Sequence, residues 1–174
     1  MLAIDEASYR EFVTVRRRAL LRTAYLLTGD WHAAEDVVQE TLAKLYVSWR
    51  RVRRREEAIG YARRTLLTTY IDSTRRPWRR EHTVDALPDL VGAGDPADLG
   101  APDTRHRLMA ALARVPARQR AVVVLRFWED LSVEQVAELL SCSSGNVKSQ
   151  TARGLERLRE LLGADDLMAL RDAV

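Results

Sequence analysis

Residues 132–162 read SVEQVAELLSCSSGNVKSQTARGLERLRELL: a short amphipathic segment, a turn and a longer basic segment with no gap between them. Ser132 can cap a free backbone N–H at the start of the first segment. Gln135, three residues on, can reach back to it in the reciprocal arrangement of a capping box. Val133, Val136, Ala137 and Leu140 then share one helical face, with Ala137 small where two steeply crossing helices must approach closely. Ser141, Cys142 and Ser143 make the turn. A second helix starts near Ser144 and carries Val147, Thr151, Leu155, Leu158 and Leu162 in a single inward stripe. Its other face holds Ser144, Asn146, Lys148, Ser149, Gln150 and Arg153, polar and basic in the turns that reach base edges and phosphates when such a helix lies in a major groove. This order of elements is that of a helix-turn-helix, although a helical hairpin in any bundle shares the bare pattern.

Two positions break local rules. Ser141 stands where helix-turn-helix proteins usually have Gly, and a non-glycine residue at positive φ costs roughly 1–2 kcal/mol. Gly154 sits inside the second helix at a cost of ~1 kcal/mol relative to Ala, for which close helix packing is the expected reason.

Charge is unevenly distributed along the 174 residues. The net charge is only +3, but residues 50–80 hold eleven Arg against Glu56, Glu57 and Asp72, a balance of +8. Residues 81–104 hold six acids and no Lys or Arg, and residues 105–162 hold ten basic against six acidic, a balance of +4. Two basic blocks flanking an acidic spacer suit two modules that each meet a polyanion. The spacer concentrates Pro88, Gly92, Gly94, Pro96, Gly100 and Pro102 and has no apolar periodicity, so residues 81–103 are expected to form a flexible linker.

The N-terminal half reads as helical. Tyr9, Phe12, Val13, Arg16, Leu20, Ala24 and Leu27 make one stripe that closes at Gly29. A second helix, from about His32 to Trp49, has Val37, Val38, Thr41, Leu42, Leu45 and Tyr46 on its apolar face. Glu35, Asp36, Gln39 and Glu40 crowd its early turns. Acids near a helix N-terminus favour the macrodipole, so position alone leaves a dipole role and a partner role both open. After a basic loop, a third helix from about Ala58 to Arg75 has Ile59, Ala62, Leu66 and Tyr70 on one side. Arg63, Arg64, Thr68, Asp72, Arg75 and Arg76 fall largely on the other. Arg interleaved with Trp49, Tyr61, Tyr70 and Trp78 suits a single-stranded or melting nucleic acid, with Trp49 and Tyr70 read as core.

Other classes find less support. A lone Cys142 closes no intramolecular disulfide and fits a reducing cytoplasm, and His32, His82 and His106 are too scattered for a metal site. No apolar run approaches the roughly twenty residues of a membrane span, and Asp5 and Glu6 stand in place of a signal-peptide start. A nucleic-acid enzyme would need a nucleophile or a carboxylate cluster, and neither is apparent. A stand-alone helix-turn-helix repressor or activator would use the same C-terminal motif without the N-terminal acidic helix.

The run Ala34-Glu35-Asp36-Val37-Val38-Gln39-Glu40-Thr41-Leu42, followed by Tyr61-Ala62-Arg63-Arg64 and Asp72-Ser73-Thr74-Arg75-Arg76, resembles region 2 of bacterial RNA polymerase sigma factors. The subgroup it resembles is the extracytoplasmic-function group of the sigma-70 family. Leu112-Ala113-Arg114-Val115-Pro116-Ala117-Arg118-Gln119-Arg120, with Leu125-Arg126-Phe127, Leu131-Ser132 and Asn146-Val147-Lys148-Ser149, is similar to their region 4.

The resemblance implies an all-α fold. A three- to four-helix region 2 domain (1–80) is joined by the linker (81–103) to a four-helix region 4 domain (104–163), helix-turn-helix without a wing, followed by a tail (164–174). It implies a promoter-specific initiation factor with no enzymatic activity and no cofactor. Its partners would be core RNA polymerase and promoter DNA, and the family admits an anti-sigma factor as a third. Glu35, Asp36, Gln39 and Glu40 become polymerase contacts. Tyr61, Arg63, Arg64, Thr68, Arg75 and Arg76 match positions that read the minus 10 element as it melts, with Thr68 where the family often has Asn. Ser144, Asn146, Lys148, Ser149 and Arg153 would bind the minus 35 element as duplex.

Overall fold

The computed structural model describes residues 6–52, 55–75 and 102–162. They form α1 (Glu6–Thr28), α2 (Trp31–Ser48), α3 (Arg55–Arg75), α4 (Pro102–Ala113), α5 (Ala117–Val123), α6 (Val133–Leu140) and α7 (Ser144–Leu161), and no strand occurs among these residues. A 3-10 turn (Trp49–Arg51) follows α2, and a π turn (Val124–Trp128) continues α5. Arg76, most of the expected linker and the tail at 164–174 lie outside the described residues.

The first three helices form one group. Gly29, at φ +73°, ends α1 in the left-handed region open to a residue without Cβ, and its N–H donates to the Tyr25 carbonyl at 2.8 Å. The next residue, Asp30, caps α2 by accepting from the Ala33 N–H at 2.7 Å. Leu20, Leu21, Ala24 and Leu27 of α1 are buried, as are Val37, Val38 and Leu45 of α2 and Ala62, Leu66 and Tyr70 of α3. Tyr9 and Phe12 pack against Trp49 with ring centroids 5.3 and 5.2 Å apart. Trp49 and Tyr70 are core, as expected. Arg16 departs from its expected place in the α1 stripe: it is exposed and lines a cleft, because a guanidinium finds no partner inside an apolar bundle.

In the second group the helix-turn-helix is built as its sequence predicts. Ser132 and Gln135 form the reciprocal capping box of α6, and Ser143 caps α7 by accepting from the Asn146 N–H at 3.1 Å. Ser141 adopts φ 51° and ψ 51°, the left-handed conformation that a turn after α6 requires. A Cβ on Gly154 would lie 2.7 Å from Val123 Cγ2 and 3.4 Å from the Gln119 carbonyl, so α7 crosses α5 at a distance only glycine permits.

The two groups are joined by one continuous core. α1 packs on α4, α5 and the π turn, and α3 packs on α5 and α6. At the centre of this junction Arg120 is buried. Its guanidinium donates to the Leu27 carbonyl of the first group at 2.7 Å, and to Ala113 and Val115 carbonyls of its own at 2.7 and 3.1 Å. The Leu27 and Ala113 carbonyls lie in the last turns of α1 and α4, where no intrahelical donor is left to them, and the Val115 carbonyl lies in the turn before α5. Burial pulls the Arg120 pKa down, with Tyr70 opposing.

Candidate nucleic-acid interface

α7 presents its polar face to solvent. Asn146, Lys148, Ser149 and Arg153 are exposed, and Ser144 is half-buried in the first turn. Helical periodicity aligns Asn146, Ser149 and Arg153 in one row and sets Lys148 on its flank. Val147 and Leu158 are buried on the far side, so the row cannot turn inward without exposing the core.

α3 divides the residues expected on one face. Tyr61, Arg64, Thr68 and Arg75, at spacings of three, four and seven, line an exposed face. The Tyr61 hydroxyl shares a 2.8 Å hydrogen bond with Ser48. Thr68 donates its hydroxyl to the Arg64 carbonyl at 2.9 Å, so what it offers outward is an acceptor. Arg64 donates to the Glu138 carbonyl at 3.1 Å and to Ser141 Oγ at 2.8 Å, both on the helix-turn-helix. Arg63 projects from the opposite flank into the junction between the groups. There it meets the Glu129 carboxylate at 2.7 Å. Arg76, the remaining residue of the expected set, lies outside the described residues.

α2 carries its acids in a strip. Asp36, Gln39 and Glu40 are exposed, and Glu35 is half-buried. Because α2 starts at Trp31 and is capped by Asp30, none of the four falls in its first turn, where the dipole effect is concentrated. That leaves the dipole explanation weak. Arg17 approaches Glu35 at 3.7 Å and Lys44 pairs with Glu40 at 2.7 Å, both near the surface, where such pairs are readily exchanged for a partner's charges.

Thr23, Arg120 and Glu129 were not singled out by sequence. Thr23 and Glu129 are 106 positions apart, and no periodicity within one helix reports what will face it across a junction.

An exposed basic recognition helix in a helix-turn-helix, joined to a helical group with an arginine–tyrosine face, defines a DNA-binding protein of the transcription apparatus. The family models for Sigma-70 region 2 and Sigma-70 region 4 match residues 12–80 and 105–158. The RNA polymerase sigma-E factor of Streptomyces coelicolor is 37% identical over 163 residues, covering 92% of this chain and 89% of that protein. The ECF RNA polymerase sigma factor SigW of Bacillus subtilis is 26% identical, covering 91% and 90%. The sigma factor RpoE of Bartonella quintana, solved in complex with the anti-sigma factor NepR, shares the fold with a TM-score of 0.70 at 24% identity, over 91% of this chain and 98% of that one. The chain belongs to the sigma-70 family of RNA polymerase sigma factors, in the extracytoplasmic-function group, and directs promoter-specific initiation.

Proposed function

We propose a division of labour among three faces. The α2 strip of Glu35, Asp36, Gln39 and Glu40 docks on core RNA polymerase. The α3 face of Tyr61, Arg64, Thr68 and Arg75, with Arg63 and Arg76, captures minus 10 bases as they leave the stack. The α7 row of Asn146, Ser149 and Arg153, with Ser144 and Lys148, reads the minus 35 element in the major groove. Arg offers bidentate hydrogen bonds to guanine and phosphate, while an aromatic face stacks on an unpaired base regardless of its identity. Binding energy then makes strand opening part of recognition, and this chain breaks or forms no bond. Two contacts on one chain reinforce each other through effective concentration, with 1–80 and the segment from α4 onward as the two modules and the expected linker, shortened to 81–101 because α4 begins at Pro102, as the tether.

The carrying observation is the exposure of the α7 row on a buried apolar base. No described helix is long and apolar enough to cross a membrane, and a cytoplasmic site of action follows from the polymerase as partner. An anti-sigma factor is proposed as a further partner, since the Bartonella relative is bound to one. The test is run-off transcription with core polymerase and the purified full chain. Promoter-dependent product supports the reading; promoter binding without polymerase and no product would replace it with a stand-alone repressor.

A further inference from the structure

Glu129 closes the π turn, and the left-handed Asp130 after it turns the chain back so that Leu131 N–H reaches the Leu125 carbonyl at 3.1 Å. The local result is that Leu125 and Glu129 both enter a cleft of the first helical group lined by Phe12, Arg16, Thr23 and Arg63. There the carboxylate is held at two points: Arg63 Nη2 donates to Oε2 at 2.7 Å, and the Thr23 hydroxyl donates to Oε1. Thr23 is a buried polar side chain whose single hydroxyl proton is shared between Glu129 and the Ala19 carbonyl at 3.1 Å, and Arg63 is a third exposed, so both donors face the cleft. A guanidinium and a hydroxyl converging on two oxygens of one anion is also how proteins hold a phosphate oxygen pair, and Arg16 on the rim adds positive charge.

We propose that Thr23 and Arg63, with Arg16 at the rim, form a site for a backbone phosphate of single-stranded nucleic acid, and that Glu129 fills this site while the two helical groups are packed together. The inference rests on the assignment of Arg63 to the nucleic-acid face and extends that face onto α1. It makes strand capture and packing of the groups mutually exclusive at this point. The acid is an internal competitor, and the measured affinity falls by the fraction of molecules in which it is engaged.

The test uses the full chain and a fluorescein-labelled single-stranded oligonucleotide of about twelve nucleotides. Glu129→Gln removes the competing charge at nearly constant shape. It is expected to tighten binding about tenfold, the worth of one charge-assisted hydrogen bond, and to steepen the dependence of log K on log salt by about 0.7, one further phosphate. Thr23→Val in the Glu129→Gln background is expected to weaken binding about fivefold, and Thr23→Ser to restore it, with thermal melts reporting whether each variant folds. If Thr23 served only to hold the groups together, Thr23→Val would leave affinity unchanged or raise it. Either of those results, or an unchanged salt slope in Glu129→Gln, overturns the site. Run-off transcription by the unmodified chain separates the two levels. Product with no Thr23 or Glu129 effect sinks this site alone, whereas a Thr23 effect without product sinks the initiation reading alone.

Discussion

The Arg63 guanidinium lies 2.7 Å from the Glu129 carboxylate, joining α3 to the end of the π turn across 66 positions of sequence. Glu129 is the more buried partner, with 14% of its side chain exposed against 34% for Arg63. A pair this close to water contributes about 1 kcal/mol, too little to hold two helical groups together alone. The larger share comes from the apolar core they have in common and from Arg120, and the ion pair adds register.

Replacing Arg120 is therefore expected to be costly. Arg120→Lys keeps a charge but cannot span three carbonyls with one compact ammonium, leaving buried acceptors on Leu27, Ala113 or Val115 unpaired. A loss of about 2 kcal/mol is expected in urea unfolding. An unchanged midpoint would mean that water replaces the lost donors.

Gly154→Ala sets helix propensity against packing. The gain in propensity is ~1 kcal/mol, but the added methyl would meet Val123 Cγ2 at 2.7 Å, on a stiff β-branched side chain that is itself buried. Overpacking of this kind costs about 1–3 kcal/mol, so a net destabilisation of about 1 kcal/mol is expected by thermal melting. A rise in Tm would show that α5 and α7 separate freely.

Ser141→Gly relieves a left-handed residue and removes the 2.8 Å acceptor of Arg64. Relief of the backbone is worth roughly 1 kcal/mol and the exposed hydrogen bond less, so the variant is expected to melt slightly higher. A lower melting temperature would assign the Arg64 contact the greater weight.

Alkaline pH should destabilise the fold. Burial raises the pKa of Tyr70; the same cause comes first for Tyr25 and Tyr9. For a group that folding holds in its protonated form, the stabilisation is complete below the ordinary tyrosine value of 10.0 and is lost as pH rises from there to the raised folded value. Melting temperature is expected to fall above about pH 10, and less steeply in Tyr70→Phe. An identical limb in that variant would remove Tyr70 as a source.

On α7, Arg153→Ala should weaken promoter binding by ~1–3 kcal/mol and relax selectivity at one base pair, since Arg153 lies in the exposed row proposed to face the groove. Lys148→Ala, on the flank, should weaken all sequences alike and reduce the salt slope by about one phosphate. Gel-shift titrations on matched and mismatched minus 35 duplexes read both. The reverse pattern would rotate the helix in the groove.

What the chain determines locally could be read from its residues. The capping box at Ser132 and Gln135, the stop at Gly29, the turn at Ser141 and the inward stripe of α7 each follow from contacts within a few positions, where backbone hydrogen bonding and the 3.6-residue period leave little choice. The packing reason for Gly154 was also legible, because an interior glycine is unfavourable unless something needs the space. Tertiary structure alone decided that Arg63 leaves the face of Tyr61 and Arg64, that Glu129 meets both Arg63 and Thr23, and that Arg120 serves carbonyls of both groups. Periodicity marks a residue as outward from its own helix. What lies opposite depends on how the helices stack, and that is set by the summed burial of side chains far apart in the chain.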